Sequence, residues 1–394
     1  MTRTVRIDVA ERRRRIGVRH RLATAARAGS ATAVARSLVV LHATDPASVF
    51  LSAWARLDDP RIAPIERELY EERSLVRMLG MRRTVFVVPR ESVPVVQAGV
   101  TNGIAATERR RLGGRLEEHG IAADGQAWLE AVFASTIRLL AGRGEALSTE
   151  LSADEPRLRE SMLLNPGKRY EARQNVAVPV LSVLAAEGRI VRGRPRGSWI
   201  SSQYRWATVA SWLGGPIPGL PVERAQAELA RLWLGAFGPA TVEDLRWWTG
   251  LPARDVRRAL DRLATVDVDL DGMAGLALAD DLAATPAVEP WLAFLPALDP
   301  TTMGWQARDW YLGPHRAQLF DTNGNAGPTI WHDGRIIGGW TQRKDGEIAY
   351  RLLEDAGDAA AVLAEAEAER LQGWLGDTRF GQRFPSPLAR ELGA

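Results

Sequence analysis

The residue types best suited to chemistry lie in a polar break between two apolar segments. Residues 38–50 read Leu-Val-Val-Leu-His-Ala-Thr-Asp-Pro-Ala-Ser-Val-Phe, with His42, Thr44 and Asp45 at the break. A neutral imidazole can accept a proton near physiological pH, and a threonine hydroxyl can hold a water molecule by a hydrogen bond. Asp45 also fits the cap of a helix whose first residue is Pro46. Because a histidine beside apolar residues usually has a structural role, that interpretation stays open for His42.

Two arginines directly before an apolar run are candidates for binding phosphate. Arg82 and Arg83 precede Thr84–Val88, and the arginine fork matches the geometry of a phosphate group. Arginine is also concentrated near the N-terminus, where residues 1–36 hold ten arginines against two acidic residues. Phosphate binding by this pair predicts a nucleic-acid partner. The alternative is ion pairing with acidic residues nearby in sequence, namely Glu66, Glu68 or Glu71.

A basic turn and a tight hairpin are further candidate contacts to nucleic acid. Residues 188–200 read as strand, turn and strand, and the turn carries arginines that can contact backbone phosphates: Arg192, Arg194 and Arg196. Asp333-Gly334 lies between two apolar arms, which is a strong hairpin signal. Projected into a groove, this hairpin would offer Trp331, His332 and Arg335. Most Asp-Gly turns only reverse the chain, so a structural role is the alternative.

The composition excludes several classes of site. The chain has 394 residues, a net charge of +3 and no cysteine, which excludes disulfides, thiolate metal sites and cysteine nucleophiles. Its five histidines make no pair at metal-ligand spacing, and no phosphate-binding glycine loop or Gly-x-Ser-x-Gly turn occurs. We therefore expect no metal and no cofactor. No apolar run approaches the roughly 20 residues of a membrane span, and no secretory signal is apparent, so we expect a cytoplasmic protein without membrane contact.

The first predicted unit, residues 1–145, must position the polar break. Apolar residues recur at helical spacing in several of its segments. The predicted helices are 9–39, Pro46–Leu57, 61–79 and parts of 91–141. The β-branched run Thr84–Val88 is long enough for a buried strand and is closed by Pro89.

The next two predicted units have the outline of a winged helix-turn-helix. Residues 146–218 place helices up to 176–187 before the basic hairpin, and a Gly/Pro-rich linker follows at 214–219. Residues 219–285 place three helices before 266–278, where apolar and polar residues alternate as in a hairpin. The third unit begins one of its helices at Thr241, where Asp244 can complete a capping box.

The last predicted unit, residues 286–394, is rich in aromatic residues and glycine up to Trp340 and then contains a helix over 357–375. We expect a small β-rich domain here. The predicted fold class is α+β and mainly helical, with winged helix-turn-helix units followed by this β-rich domain.

Several motifs together resemble the AlkZ/YcaQ-like family of bacterial winged-helix DNA glycosylases. The resemblance spans most of the chain, with its motifs in the expected order. It implies tandem winged helix-turn-helix units, the first of them over residues 1–145, and a C-terminal β-barrel-like domain. The matching segments are residues 42–46, Leu75–Pro89, Gly238–Pro252, Phe294–Pro300, Arg308–Leu312 and Asp333–Arg335. The family's catalytic motif is Gln, an apolar residue, then Gln or Asp. Here His42 replaces the first position and Thr44 the second, with Asp45 as a flanking residue.

This resemblance implies an enzyme that removes alkylated bases from double-stranded DNA and, in some members, unhooks interstrand crosslinks. A cationic N7- or N3-alkylpurine leaves readily, so His42 and Thr44 would place a water at the anomeric carbon, and Asp45 would stabilise the positive sugar. Strand cleavage by such an enzyme usually needs an amine. The only lysines are Lys168 and Lys344, both outside the motif, so we expect a monofunctional enzyme. A glycosylase that wraps around one lesion is expected to be a monomer.

A second hypothesis is a winged-helix DNA-binding protein without catalysis, such as a transcriptional regulator. The altered motif favours it, because neither glutamine position is kept. A regulator is normally a dimer that reads two half-sites, and no heptad pattern indicates a dimer interface in this sequence.

Overall fold

The computed structural model describes residues 5–165, 167–169 and 171–394, so residues 1–4 of the first predicted unit and 166 and 170 of the second lie outside it. The fold is α+β and mainly helical, which confirms that part of the prediction. Within the described residues, no helix is both long and apolar enough to cross a membrane.

The start of the chain departs from the single helix predicted over 9–39. The first elements are β1 (Val5–Arg6), α1 (Val9–Arg19) and α2 (Ala31–Ser37). The prediction is wrong because the backbone leaves helical geometry after α1, where Arg21 has a left-handed φ of 60°. The second helix then begins at its own cap, since the Ser30 hydroxyl accepts a hydrogen bond from the Ala33 N–H at 3.1 Å.

The polar break lies in a small α/β unit. After α2 its elements are β2 (Leu41–His42), α3 (Pro46–Trp54), α4 (Ile62–Tyr70), β3 (Leu75–Leu79) and β4 (Val85–Pro89). The sheet order is β2-β4-β3. The strand predicted at Thr84–Val88 is confirmed as β4. The helix predicted over 61–79 is wrong in its second half, because a fully buried strand such as β3 shows no alternation that distinguishes it from helix.

Two connecting helices, α5 (Val93–Val96) and α6 (Asn102–Glu118), lead into the second unit. The elements of that unit are α7 (Gly125–Arg143), β5 (Glu145–Leu147), α8 (Ser148–Asp154), β6 (Ser161–Leu164), β7 (Ala172–Asn175), α9 (Ala177–Ala186), β8 (Ile190–Pro195) and β9 (Tyr204–Thr208). The outgoing strand of the basic hairpin starts only at Tyr204. The loop before it is held down by Trp199, which packs on Phe50 with ring centroids 4.9 Å apart. Arg192 and Arg194 therefore lie in β8, and only Arg196 lies in the loop.

The third unit repeats the pattern. After α10 (Val209–Leu213), which lies within residues 146–218, its elements are α11 (Val222–Phe237), α12 (Val242–Thr249), α13 (Ala253–Leu260), β10 (Thr265–Leu270) and β11 (Met273–Leu278). The capping box predicted for Thr241 and Asp244 is confirmed, with the Asp244 N–H donating to the Thr241 hydroxyl at 3.0 Å. β1 adds to this sheet in parallel with β10.

The three units share one order of elements: a helix, a short strand or bridge, two helices, and two antiparallel strands. In each, the first short segment pairs with the last strand. These pairings are β2 with β4, β5 with β9, and Ala240 with Leu276 of β11. The second unit differs by the β6–β7 hairpin between its second and third helices.

The C-terminal region is an open sheet, not a barrel. Its elements are β12 (Leu292–Leu295), α14 (Asp309–Leu312), α15 (Arg316–Leu319), β13 (Thr329–His332), β14 (Arg335–Gln342), β15 (Ile348–Leu352), α16 (Asp358–Leu375) and α17 (Pro387–Leu392). The strands form an antiparallel sheet in chain order, β12-β13-β14-β15. The barrel prediction is wrong because the edge strands do not pair with each other. Helix α16 packs against both β12 and β15.

Two hydrophobic cores hold these parts together. The larger one joins the first unit, the third unit and the C-terminal sheet, and includes Trp54, Trp233 and Trp331. Most of the second unit has a separate core, which includes Phe133 and Leu181.

Candidate active site

A cleft of about 830 Å³ opens between the first and second units. Thr44 and Val85 line it from the first unit, Arg192 and Tyr204 from the second, and Arg383 from the segment between α16 and α17. The polar break predicted from sequence therefore borders a basic cleft, but only through Thr44 and Ala43. His42 and Asp45 are not among the residues that line it.

His42 is buried beneath this surface. It pairs with Phe86 across β2 and β4, and the two rings meet edge to face with centroids 5.5 Å apart. His42 is only 8% exposed, and its Nδ1 is buried without a hydrogen-bond partner. Burial, and next the positive charge of Arg82, lower the pKa of His42 to about 3.

The low pKa corrects the expectation that His42 titrates near physiological pH. A neutral imidazole with this pKa is a weak base, because efficient general bases have pKa values near the working pH. What it can do is donate or accept a hydrogen bond. The arrangement is therefore better suited to holding a water molecule than to removing its proton.

Asp45 caps α3, as predicted. Its Oδ1 accepts a hydrogen bond from the Ala47 N–H at 3.1 Å, and Pro46 occupies the first helical turn. Burial raises the pKa of Asp45, opposed by the Ala47 N–H and by Arg383. The same carboxylate thus has a structural task, while its predicted role toward a positive sugar stays a prediction.

We expect the protein to lose stability in mild acid because of His42. Its pKa of about 3 lies below the usual value near 6.5, so the unfolded chain binds a proton that the folded chain rejects. Stability should fall as pH drops from 6.5 toward 3, by roughly 1 kcal/mol per pH unit for this residue. Urea denaturation at pH 7 and pH 5 should show a smaller loss for His42→Gln than for the wild type. Equal losses would mean that His42 titrates normally.

Arg82 and Arg83, which precede β4, do not form the ion pairs with Glu66, Glu68 or Glu71 that were the alternative prediction. Arg83 forms its ion pair with Glu108, and Arg82 stacks on Trp247 with its guanidinium carbon 3.9 Å from the ring centroid. Those two observations correct the partners named from sequence, none of which contacts this pair. Phosphate contact by Arg82 and Arg83 remains a prediction.

Two of these acidic residues, Glu66 and Glu71, instead form ion pairs with Arg194. Its guanidinium lies 3.1 Å from Glu66 and 2.9 Å from Glu71. Arg194 is therefore already neutralised, which argues against its predicted place among the main phosphate contacts. Arg192 and Arg196, by contrast, both line the cleft.

The Asp-Gly hairpin forms as predicted but does not project from the surface. Asp333 and Gly334 have φ values of 47° and 81°, as a tight two-residue turn requires. A Cβ on Gly334 would lie 2.6 Å from the Cβ of Arg13, so the turn packs closely on α1. Trp331 is fully buried and its Nε1 donates to the Thr329 hydroxyl at 3.0 Å.

The prediction that Trp331 inserts into a groove is thus wrong, because its ring belongs to the core of the sheet. Arg335 donates to Glu354 at 2.6 Å, and His332 lies 3.7 Å from Asp333 with a side chain 20% exposed. The hairpin is a contact between the C-terminal sheet and α1. DNA contact by His332 and Arg335 remains a prediction.

Sequence reasoning missed Arg77, Tyr204 and Arg383. Arg77 lies in β3 and donates from Nη1 to the Ala43 carbonyl at 3.0 Å, while Arg383 donates to the Thr44 carbonyl at 2.9 Å. The signal for Arg77 was available, since it is the one charge in the apolar run Leu75-Val-Arg-Met-Leu79. Nothing in the local sequence indicates that Arg383, about 340 residues later, returns to the polar break.

No group of three His, Asp or Glu side chains that could hold a metal ion occurs among the described residues. The arrangement offers a neutral imidazole, a hydroxyl and a basic cleft.

Comparison with known proteins identifies the family of the chain. A family model described as DNA glycosylase AlkZ-like matches residues 35–374. A Streptomyces sahachiroi protein named interstrand DNA cross-link repair glycosylase is 28% identical over 220 residues, which cover 52% of this chain and 57% of that protein. The chain therefore matches little more than half the length of this relative.

The fold is also similar to a solved structure. Streptomyces sahachiroi DNA glycosylase AlkZ superposes with a TM-score of 0.73 at 20% identity, covering 95% of this chain and 99% of that one. At this identity the likeness concerns the fold. The family match extends over most of the sequence, from α2 to the end of α16, and the chain belongs to the AlkZ-like DNA glycosylase family.

Proposed function

We propose that this protein is a monofunctional DNA glycosylase that hydrolyses the N-glycosidic bond of bulky or cationic alkylpurines and unhooks interstrand crosslinks. The observation that carries the proposal is the position of the polar break, whose Thr44 opens onto a basic cleft in a chain of the AlkZ-like family. The substrate is double-stranded DNA, and the enzyme acts as a monomer without a cofactor.

We propose that the three units of common topology are winged helix-turn-helix units, and that residues 1–145, 146–218, 219–285 and 286–394 are the domains. Support comes from the shared order of a helix, a short strand, two helices and a strand pair. Such units bind DNA through a helix and the adjacent strand pair. The pair β8–β9 fits this role because Arg192 and Arg196 face the cleft.

The proposed chemistry needs little acid or base. An alkylated purine that is already cationic leaves without protonation, so the enzyme has to place water and stabilise a positive sugar. The Thr44 hydroxyl and the neutral His42 ring supply hydrogen bonds for the water. A depressed imidazole pKa fits this task, because the ring stays uncharged beside the developing cation.

A monofunctional reaction follows from the lysine content. Lys168 and Lys344 are the only side-chain amines, and neither lines the cleft. Among the described residues, no side-chain amine therefore lines the cleft to form a Schiff base with the opened sugar. Borohydride should trap no covalent protein–DNA adduct under conditions in which bases are released. A trapped adduct that disappears in Lys344→Gln would contradict this mechanism.

The experiment is a single-turnover incubation with duplex DNA carrying one N7-alkylguanine, followed by mild alkali and a denaturing gel. We expect strand cleavage only after alkali, because hydrolysis leaves an abasic site. A crosslinked duplex as second substrate should be converted to separable strands. No cleavage of either substrate would overturn the proposal.

A DNA-binding protein without catalysis is the second candidate, because His42 and Thr44 stand where the family motif has Gln and then Gln or Asp. Gel filtration separates the two candidates, since a regulator that reads two half-sites is a stable dimer. A monomer supports the glycosylase.

A further inference from the structure

Three arginines meet at the inner end of the cleft without an acidic partner. Arg192 and Arg383 line the cleft, and Arg77 lies behind them in β3. Arg77 and Arg383 repel the positive charge of Arg192, whereas Tyr204 stabilises it. No ion pair with a carboxylate is formed by any of the three within the described residues. Asp45 interacts electrostatically with Arg383 without forming an ion pair, so the three arginines together keep an excess of positive charge.

Arg77 is the most unusual member of this group. It is 5% exposed, and one nitrogen, Nη1, donates to the Ala43 carbonyl. Its Nε and Nη2 are buried without an acceptor, and its guanidinium carbon lies 4.7 Å from the centroid of the Tyr204 ring. A buried cation without a carboxylate partner is costly, even beside the Tyr204 ring and the Tyr70 hydroxyl. An anion brought from outside the protein would offset that cost.

We propose that Arg192 and Arg383, backed by the buried Arg77, bind one phosphodiester of the DNA strand that carries the lesion. The inference rests on the proposed DNA function and specifies how that strand is held. Arg192 and Arg383 contact the phosphate oxygens, because both are open to the cleft. Arg77 is a positioning residue, since its own nitrogens are covered, and it strengthens the field that the phosphate meets.

The same arginines also hold the polar break. Arg77 bonds the Ala43 carbonyl at 3.0 Å and Arg383 bonds the next carbonyl, that of Thr44, at 2.9 Å. Two successive peptide groups are thus tied to the proposed phosphate site. A phosphate bound there sets the distance between the strand and the Thr44 hydroxyl, and such positioning governs the rate of a bound reaction.

The first test measures affinity for undamaged duplex DNA as a function of salt, so it does not depend on base release. Each phosphate contact contributes about −0.9 to the slope of log K against log salt. We expect Arg192→Met to reduce the slope by about 0.9 and Arg192→Lys to retain it. Arg205→Met is the matched control, because Arg205 lies in the adjacent strand and already pairs with Glu150 at 3.5 Å. A wild-type slope in Arg192→Met would overturn the phosphate site, whatever the protein's activity.

The second test separates positioning from folding. With lesion-containing duplex at saturating protein, Arg77→Met should release base about 100-fold more slowly, while its affinity for undamaged duplex falls by no more than that of Arg192→Met. A purely structural arginine would change the melting temperature but not this ratio of rate to affinity, and that result would overturn the role of Arg77. If Arg77→Met does not fold, Arg383→Met tests the same site, with an expected slope reduction of about 0.9.

Discussion

Replacing His42 with alanine should slow base release by about 100-fold, as expected when a reacting molecule is no longer positioned correctly. The reason is the pKa of about 3, which leaves His42 to orient water and removes the larger gain of a well-matched base. Affinity for DNA should change little, because His42 is 8% exposed and does not line the cleft. The rate should also show no step near pH 6.5. The measurement is the single-turnover rate across pH 5.5–8.

His42→Gln is the matched variant for this prediction. A glutamine also donates and accepts hydrogen bonds but cannot act as a base, and the resemblance places glutamine at this position of the motif. We expect it to release base within about tenfold of the wild-type rate. If His42→Ala were as fast as the wild type, His42 would be structural. If His42→Gln were as slow as His42→Ala, proton transfer by the imidazole would be essential.

Replacing Asp299 with alanine should destabilise the protein by about 3–5 kcal/mol, as expected for a broken buried ion pair. Arg56 and Asp299 are both completely buried, with Nη2 and Oδ1 2.6 Å apart. Nε of Arg56 donates to the His20 carbonyl, Nη1 to the Ser52 carbonyl and to Asp299 Oδ2, and Nη2 also to the Thr301 hydroxyl, so its hydrogen-bonding capacity is filled. Loss of the carboxylate leaves a buried cation and unpaired N–H groups.

The pair also matters for the site, because it anchors the end of α3 opposite to the polar break. The Ser52 hydroxyl of α3 donates to the same carboxylate at 2.7 Å. The measurement is the urea midpoint of Asp299→Ala. Glu91→Ala is the control, since Glu91 and Arg36 form an exposed pair whose loss should cost less than about 1 kcal/mol. Equal midpoints for the two variants would contradict the assigned role of the buried pair.

The sequence predicted features whose causes are local. Asp45 caps α3 because the side chain, Pro46 and the following N–H lie within three residues. The hairpin at Asp333-Gly334 forms because its two residues tolerate positive φ. The start of the third unit at Thr241 follows from a capping box that needs only Asp244 three residues on.

Features that depend on long-range contacts could not be read in this way. Arg194 pairs with Glu66 and Glu71, more than 120 residues away, and that choice decides which arginines stay free for phosphate. The pKa of His42 depends on how deeply β2 is buried, which its composition does not reveal. Trp331 looked exposed beside a turn, but α1 covers that turn.

The most direct measurement is the release of free alkylated base from duplex DNA carrying one N7-alkylguanine, quantified by chromatography and mass spectrometry in a single turnover. The account predicts one free base for each abasic site formed, and no release from an undamaged duplex. Thr44→Val, which keeps the shape and removes the hydroxyl, should release base more slowly. A protein that binds the lesion duplex and leaves the alkylated base attached would contradict the account and assign the cleft to recognition alone.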